Sequence, residues 1–276
     1  MSALLRKYER LKKLVKSYGS LIVAYSGGVD STLLLKVASD VLGENVLAVT
    51  AMSAIYPHAE LEIAKKTARQ LRVRHRMIKS DALTDERFVQ NSPERCYWCK
   101  LGLLKKLGAL AQQGEIAHVA IASHMDDLND YRPGERAVSE MGAVSPLRLA
   151  GFTKKDVRRL SRQLGLPGWR REAMACLASR FPYGERIRVE KLRRVENAEA
   201  FLRGKGFRNV RVRYAVRGAR IEVDKAQLGR FHGKQLRCEI VRKLKGLGFI
   251  SISLDIEGYR MGSLNYGLAE TTQFMR

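Results

Sequence analysis

The chain has 276 residues, with 51 Lys and Arg against 28 Asp and Glu, so its formal net charge is +23. A field of this sign favours anionic partners such as nucleotides, RNA or acidic metabolites, and alone it selects none of them. No stretch approaches eighteen uncharged apolar residues, which excludes a membrane-spanning helix.

The first predicted element is an amphipathic helix over residues 4–18, which have helical apolar spacing. The residues before it lack the apolar core and cleavage site of a signal peptide, so we expect a cytoplasmic protein. In a reducing compartment the four cysteines indicate metal or catalytic chemistry more than disulfides.

A short apolar strand, 21–24, runs directly into a glycine turn and a helix, 32–42. Such a turn makes a cradle for phosphate, because backbone N–H groups at a helix start attract anions and glycine allows close approach. The candidate nucleotide-binding residues are Ser26, Gly27, Gly28, Val29, Asp30 and Ser31. Asp30 is also the candidate Mg²⁺ ligand, and the alternative for it is an N-cap of the helix.

Strands at 46–50, 73–79 and 116–123 alternate with helices at 59–71, 97–112 and 154–163. This alternation predicts an α/β fold, a parallel sheet covered on both faces with its ligand at the carboxyl ends of the strands. Ser53 follows the second strand, where adenine would lie, although an ordinary turn explains it nearly as well.

The pattern changes after Pro167-Gly168. A helix at 190–203, two strands at 210–214 and 219–223 joined by a hairpin at Arg217-Gly218, a helix at 235–247 and a strand at 249–254 follow. We therefore expect two domains, residues 1–168 with the parallel sheet and residues 169–276 with a smaller α+β fold.

Cysteine spacing suggests a metal site. Cys96 and Cys99 form a Cys-x-x-Cys at a predicted helix start, and Cys176 lies far downstream. Three thiolates suit a [4Fe–4S] cluster with one iron open. A redox disulfide within the pair and a zinc site with Cys238 as fourth ligand are the alternatives, and spacing alone leaves them open. We interpret Cys238 as structural.

Three polar segments follow. Residues 126–134 hold three carboxylates beside an arginine, or else a solvated acidic loop. Ser179 and Arg180 offer a hydroxyl and a guanidinium to a phosphate. Arg211 and Arg213 alternate on a strand and could grip a second phosphate, unless they belong to a basic surface strand.

The loop Ser26-Gly27-Gly28-Val29-Asp30-Ser31 resembles that of the PP-loop ATP pyrophosphatases, which have a Rossmann-like adenine nucleotide alpha-hydrolase fold. With the segments 130–134, 176–184 and 258–260, the chain is similar to one branch, the LarE-type sulfur transferases of nickel-pincer nucleotide cofactor synthesis. The segment 121–125 differs from the run of residues typical of that branch.

The resemblance implies an ATP-dependent sulfurtransferase. It would adenylate a carboxylate of a pyridinium dicarboxylate mononucleotide, release pyrophosphate, and make a thiocarboxylate and AMP. Its implied cofactors are ATP, Mg²⁺ and a [4Fe–4S] cluster held by Cys96, Cys99 and Cys176, with sulfide from an external donor. The resemblance also makes Cys176 the sulfur-handling residue and implies these substrate-side residues: Glu199, Ser179, Arg211, Arg213 and Arg260. The candidate catalytic residues are Cys176, Glu199 and Asp30, and Arg180 is a further candidate binding residue.

Two other functions fit the sequence. A tRNA thiolase of the same superfamily would use the +23 charge for phosphate contacts. A non-catalytic nucleotide- or metal-binding regulator would bind ATP without releasing pyrophosphate. We expect the small-molecule enzyme, acting as a homo-oligomer with no membrane partner.

Overall fold

The computed structural model describes residues 2–129, 131–172, 175–215 and 218–260. The chain divides into two compact units, residues 1–174 and 175–276. The domain boundary predicted after residue 168 stays a proposal. None of the helices in these described ranges is both long and apolar enough to cross a membrane.

The first unit contains a four-stranded sheet with the order β3-β2-β1-β4 and all pairs parallel. Its strands are β1 Leu21–Ala24, β2 Val46–Met52, β3 Arg74–Lys79 and β4 His118–Ala120. The predicted α/β class and parallel sheet are therefore confirmed.

In the described part of the first unit the α-helices are α1 Ala3–Ser17, α2 Val29–Leu42, α3 His58–Gln70, α4 Glu86–Val89, α5 Arg95–Gln113, α6 Gly134–Glu140, α7 Pro146–Leu149 and α8 Lys154–Gln163. Leu21 and Val23 of β1 belong to one apolar cluster and Ile22 to another. Because successive side chains of a strand point to opposite faces, the two clusters cover the two faces of the sheet.

Two boundaries matter for the site. The helix predicted from residue 32 begins at Val29, so the acid of the glycine turn lies within its first turn. The strand predicted over 116–123 is confined to His118–Ala120, which leaves the polar residues after it in a loop. Both changes bring polar side chains to the carboxyl edge of the sheet, beside the turn after β1.

The second unit has a three-stranded sheet in the order β5-β6-β7. Its elements are α9 Val189–Gly204, β5 Arg211–Ala215, β6 Gly218–Glu222, α10 Lys234–Gly246 and β7 Ile252–Leu254. Strands β5 and β6 are antiparallel, as the predicted hairpin requires, although Arg217 itself lies outside the described residues. Strand β7 adds in parallel to β6.

Candidate active site

The turn after β1 is organised by its own hydroxyl groups. Ser26 Oγ and Ser31 Oγ lie 3.1 Å apart, and Ser31 Oγ also donates to the Gly28 carbonyl at 3.1 Å. The Gly28 N–H donates to Ser26 Oγ at 3.3 Å. Val29 packs into the core, so only its backbone could meet a phosphate. The geometry is that of a short strand-to-helix loop with hydroxyls at the helix start.

Gly27 fixes the path of this loop. Its φ is +74°, and a Cβ placed there would lie 2.9 Å from Ala64 Cα, in the backbone of α3. An L side chain rarely adopts such a backbone conformation, and the atoms of α3 leave no room for it. The loop therefore needs glycine at position 27 for two reasons: its backbone conformation and its close contact with α3.

We expect Gly27→Ala to lower the free energy of unfolding by about 1–3 kcal/mol, the usual cost of a strained backbone conformation. Gly102→Ala is the matched control, because that position is inside α5 with open space around it. It should stabilise the protein by about 0.5–1 kcal/mol. Urea denaturation of both variants checks the prediction, and equal effects would contradict it.

Asp30 occupies the first turn of α2, whose N-cap is Gly28, so the alternative that Asp30 caps the helix is wrong. Lys154 Nζ lies 2.5 Å from Asp30 Oδ2. The second oxygen, Asp30 Oδ1, is buried and has no hydrogen-bond partner among the described residues. A buried carboxylate oxygen without a donor fits a hard cation such as Mg²⁺.

The loop after β4 reaches the same acid. His124 Nε2 lies 3.9 Å from Asp30 Oδ1 and 3.5 Å from Asp127 Oδ1, and the His124 N–H donates to Asp127 Oδ2 at 2.9 Å. Asp127 is 4% exposed and Arg132 Nη1 lies 2.9 Å from its Oδ1. The alternative of a solvated acidic loop is therefore wrong for Asp127.

The rest of the acidic segment behaves differently. Asp126 is exposed and accepts the backbone N–H of Lys154 at 2.8 Å, which ties the loop to the start of α8. Asp130 lies outside the described residues.

Ser53 follows β2 and is partly buried, and its Oγ accepts the Ile55 N–H at 3.4 Å. A role for Ser53 at adenine stays a prediction.

Cys96 and Cys99 lie in the first turns of α5, as the sequence predicted. Cys96 is exposed and Cys99 is partly buried. Tyr97 and Trp98, between them, make an edge-to-face contact with ring centroids 4.7 Å apart. Residues three apart share a helix face, so both sulfur atoms can serve one metal centre.

The helix α6 supports this turn of α5. The Arg136 guanidinium lies 3.9 Å from the centroid of the Tyr97 ring and 2.5 Å from Glu94 Oε2. Tyr131, in the segment 130–134, donates its hydroxyl to Glu94 Oε1 at 3.3 Å. Tyr131 and Arg136 therefore both contact Glu94, the residue that precedes α5.

Cys176, in the second unit, precedes a short 3₁₀ helix, Leu177–Arg180, and is partly buried. Its carbonyl accepts the Ser179 hydroxyl at 2.8 Å and Arg180 Nη1 at 3.1 Å. Arg180 also donates to the Ala175 carbonyl at 2.9 Å. The arginine thus holds the backbone on both sides of the cysteine's peptide.

Arg180 is itself held by Glu199, and neither side chain is exposed. Arg180 Nε and Nη2 donate to the two Glu199 oxygens at 2.8 and 3.1 Å, and Glu199 also accepts the Val212 N–H at 3.1 Å. Burial would raise the pKa of Glu199, but the charges of Arg180, Arg203 and Arg211 outweigh it and lower the pKa below its usual 4.5.

Arg211 and Arg213 are 3% and 9% exposed, so the alternative of a basic surface strand is wrong. Arg213 donates to Glu222 Oε1 at 2.9 Å and to the Ser179 carbonyl at 2.7 Å. Burial and the charge of Arg180 lower the pKa of Arg211. A bound anion would stabilise the charged form of Arg211, because its negative charge offsets both the cost of burial and the repulsion from Arg180.

Two candidates remain, Arg260 and Cys238. Arg260 Nη2 makes an ion pair with Glu257 at 2.7 Å, and the adjacent Tyr259 ring lies 4.9 Å from the Arg211 guanidinium. Cys238 is exposed on α10. Among the residues that the structure describes, no group of three or more His, Cys, Asp or Glu side chains is arranged to hold a metal ion.

Sequence reasoning did not select two residues that the structure places beside Asp30 in the turn after β1, Lys154 and His124. The position of Lys154 could have indicated a functional residue. A lysine in the first turn of a helix interacts unfavourably with the helix dipole, so helix stability does not explain its presence there. His124 stands in the segment that differs from the LarE-type run, and its contact with Asp30 depends on the fold.

Two comparisons with known proteins bear on the family of the chain. A family model described as queuosine biosynthesis protein QueC matches residues 20–92, which contain the glycine turn after β1. The chain is 39% identical over 266 residues to the pyridinium-3,5-bisthiocarboxylic acid mononucleotide synthase of Lactiplantibacillus plantarum, covering 96% of each protein.

Two further relatives are uncharacterized proteins. One from Synechocystis is 42% identical over 259 residues, which are 94% of this chain and 97% of that protein. The other, from Methanocaldococcus jannaschii, is 30% identical over 259 residues, which are 91% of this chain and 98% of that protein.

Proposed function

The chain belongs to the family of the pyridinium-3,5-bisthiocarboxylic acid mononucleotide synthase, the LarE-type sulfur transferases, and we propose that it makes a thiocarboxylate from a pyridinium carboxylate mononucleotide. The observation that carries this proposal is 39% identity to the named synthase over 96% of both chains. We propose that the enzyme is cytoplasmic and forms a homo-oligomer.

The first step we propose is adenylation. A carboxylate oxygen of the substrate forms a bond to the α-phosphorus of ATP, the bond to the bridging oxygen breaks, and its electron pair leaves with pyrophosphate. Positioning and charge neutralisation are what a protein contributes to such a transfer. Ser26, Ser31 and the backbone of the Gly27-Gly28 turn would hold the phosphates. Asp30 Oδ1 would hold Mg²⁺, which neutralises phosphate charge when bound.

The second unit supplies an anion site for the substrate. Its described residues include three buried arginines, Arg180, Arg211 and Arg213, against two buried glutamates, Glu199 and Glu222. The positive charge of these arginines supports a bound phosphate, and Arg211, whose pKa is lowered by burial and by the charge of Arg180, would gain from one. We propose that Arg211, with Ser179 and Arg260, binds the phosphate of the mononucleotide.

In the second step, sulfide displaces AMP from the acyl-adenylate: a carbon–sulfur bond forms and the carbon–oxygen bond to AMP breaks. We propose that Cys96, Cys99 and Cys176 hold a [4Fe–4S] cluster. The donor chemistry fits, since all three are thiols with at least partial access to solvent. A cluster with three protein ligands leaves one iron open to an exogenous sulfide.

The test measures pyrophosphate release from ATP in the presence of Mg²⁺ and the pyridinium dicarboxylate mononucleotide. We expect release by the wild type, and about a 100-fold lower rate for Asp30→Asn, because the variant keeps the side-chain shape and loses the negative charge that would hold Mg²⁺. Asp40→Asn is the control, since Asp40 lies exposed on the same helix.

Release that Asp30→Asn leaves unchanged would contradict the assignment of Asp30. No release by the wild type with this substrate would contradict the proposed function. Release that requires tRNA and weakens steeply with salt would favour the tRNA thiolase, for which the +23 charge is the specific observation.

A further inference from the structure

Lys154 is placed against the phosphate loop by an ion pair between distant parts of the chain. Its ammonium lies 2.5 Å from Asp30 Oδ2, across 124 residues of sequence. The two side chains are 27% and 24% exposed, so both are mostly buried at the carboxyl edge of the sheet. The lysine therefore reaches the same place that the phosphates of ATP would occupy.

The backbone around Lys154 is fixed independently of its side chain. Thr153 caps α8 by accepting the Asp156 N–H, and Asp156 accepts the Thr153 N–H in return. The Lys154 N–H donates to Asp126 at 2.8 Å. Because the helix start is satisfied without the ammonium, a change of this side chain should leave α8 in place.

Stability alone gives a weak reason for a lysine here. A cation in the first turn of a helix is opposed by the helix dipole, by about 0.3–1 kcal/mol at an exposed site. A partly exposed ion pair returns about the same amount. The two contributions nearly cancel, so the position of the ammonium next to Asp30 is better explained by a ligand.

We propose that Lys154 is a catalytic residue that neutralises negative charge on the phosphates of ATP during AMP transfer, an inference that rests on the proposed function. Its ammonium lies 2.5 Å from Asp30 Oδ2. From there it would reach the phosphates of ATP, and the Asp30 carboxylate would hold Mg²⁺. Its positive charge would stabilise the electron pair that leaves with pyrophosphate.

The experiment compares Lys154→Met and Lys154→Arg with the control Lys155→Met, whose lysine is the exposed next residue of α8. Pyrophosphate release is measured at saturating ATP and substrate. Titration calorimetry measures binding of MgATP without the pyridinium compound, and thermal unfolding reports stability.

We expect Lys154→Met to lower kcat about 100-fold, and Lys154→Arg to recover part of that loss because a cation is restored. The kcat of Lys155→Met should stay within about twofold of the wild-type value, since the ammonium of Lys155 is in solvent. Binding of MgATP to Lys154→Met should weaken much less than kcat falls, and its Tm should match that of the control.

Two results would overturn the inference while the proposed function stands. One is wild-type turnover in Lys154→Met. The other is equal loss in the Met and Arg variants together with a fall in Tm, which would make the ion pair a structural tie between α2 and α8. No pyrophosphate release by the wild type would instead overturn the proposed function itself.

Discussion

Glu199→Ala is expected to lower the free energy of unfolding by about 3–5 kcal/mol, because it leaves the guanidinium of Arg180 buried without its counter-charge. Neither side chain of this pair is exposed, and the two are joined by two hydrogen bonds. The variant also loses the acceptor of the Val212 N–H in β5. Chemical denaturation measures the change.

The pH dependence of stability gives a second test of the same carboxylate. Its pKa in the folded protein lies below the ordinary value of 4.5. The ionised form therefore stabilises the fold above that value, and the contribution is lost as the pH falls through the folded-state pKa. Glu199→Gln should show a weaker loss of stability on acidification than the wild type.

Glu190→Ala is the matched control, because Glu190 is exposed in the first turn of the same helix. Only the favourable interaction with the helix dipole is lost there, about 0.3–1 kcal/mol. A Glu199→Ala variant no less stable than this control would contradict the assignment of a buried ion pair that holds the second unit together.

This pair also bears on the role first predicted for Glu199, that of a catalytic residue. Its contacts are to protein: Arg180, Arg203 and the backbone of Val212. Through Arg180 it fixes the carbonyls of Ala175 and Cys176. We propose that Glu199 acts on the reaction by positioning the cysteine, and a direct contact with substrate stays a prediction.

The sequence predicted the elements of the first unit well, because local signals and tertiary packing agree there. Strand β1 was placed at its observed limits, and α8 likewise, since an apolar run and a capped amphipathic helix each have a clear start and end. Short helices such as Gly134–Glu140 were missed, because a single turn or two carries too little periodicity.

The polar contacts of the site were less predictable. Lys154 and Asp30 meet across 124 residues, and no local pattern encodes such a pair. Arg211 and Arg213 were placed correctly on one strand face, but their burial depends on how β5 meets α9 and the segment after Cys176. Alternation along a strand gives a shared face and leaves open whether that face meets solvent.

Replacing Cys176 by Ala is expected to abolish thiocarboxylate formation while pyrophosphate release continues. The proposed adenylation would use the loop after β1 in the first unit, whereas Cys176 belongs to the second. The alanine keeps the backbone that Arg180 and Ser179 bind, since both contacts are to the carbonyl. Mass spectrometry of the substrate, run beside a pyrophosphate assay, separates the two steps.

The companions of Cys176 decide how the sulfur is delivered. If three cysteines hold a cluster, Cys96→Ala and Cys99→Ala should lose multiple-turnover thiolation together with the visible absorption of an anaerobically iron-reconstituted protein. Cys238→Ala is the control, because that exposed thiol lies on α10 and was interpreted as structural. Thiolation that depends on Cys176 alone and stops after one turnover would instead assign the sulfur to that cysteine's own side chain. Full thiolation by Cys176→Ala would show that Cys176 takes no part in the reaction.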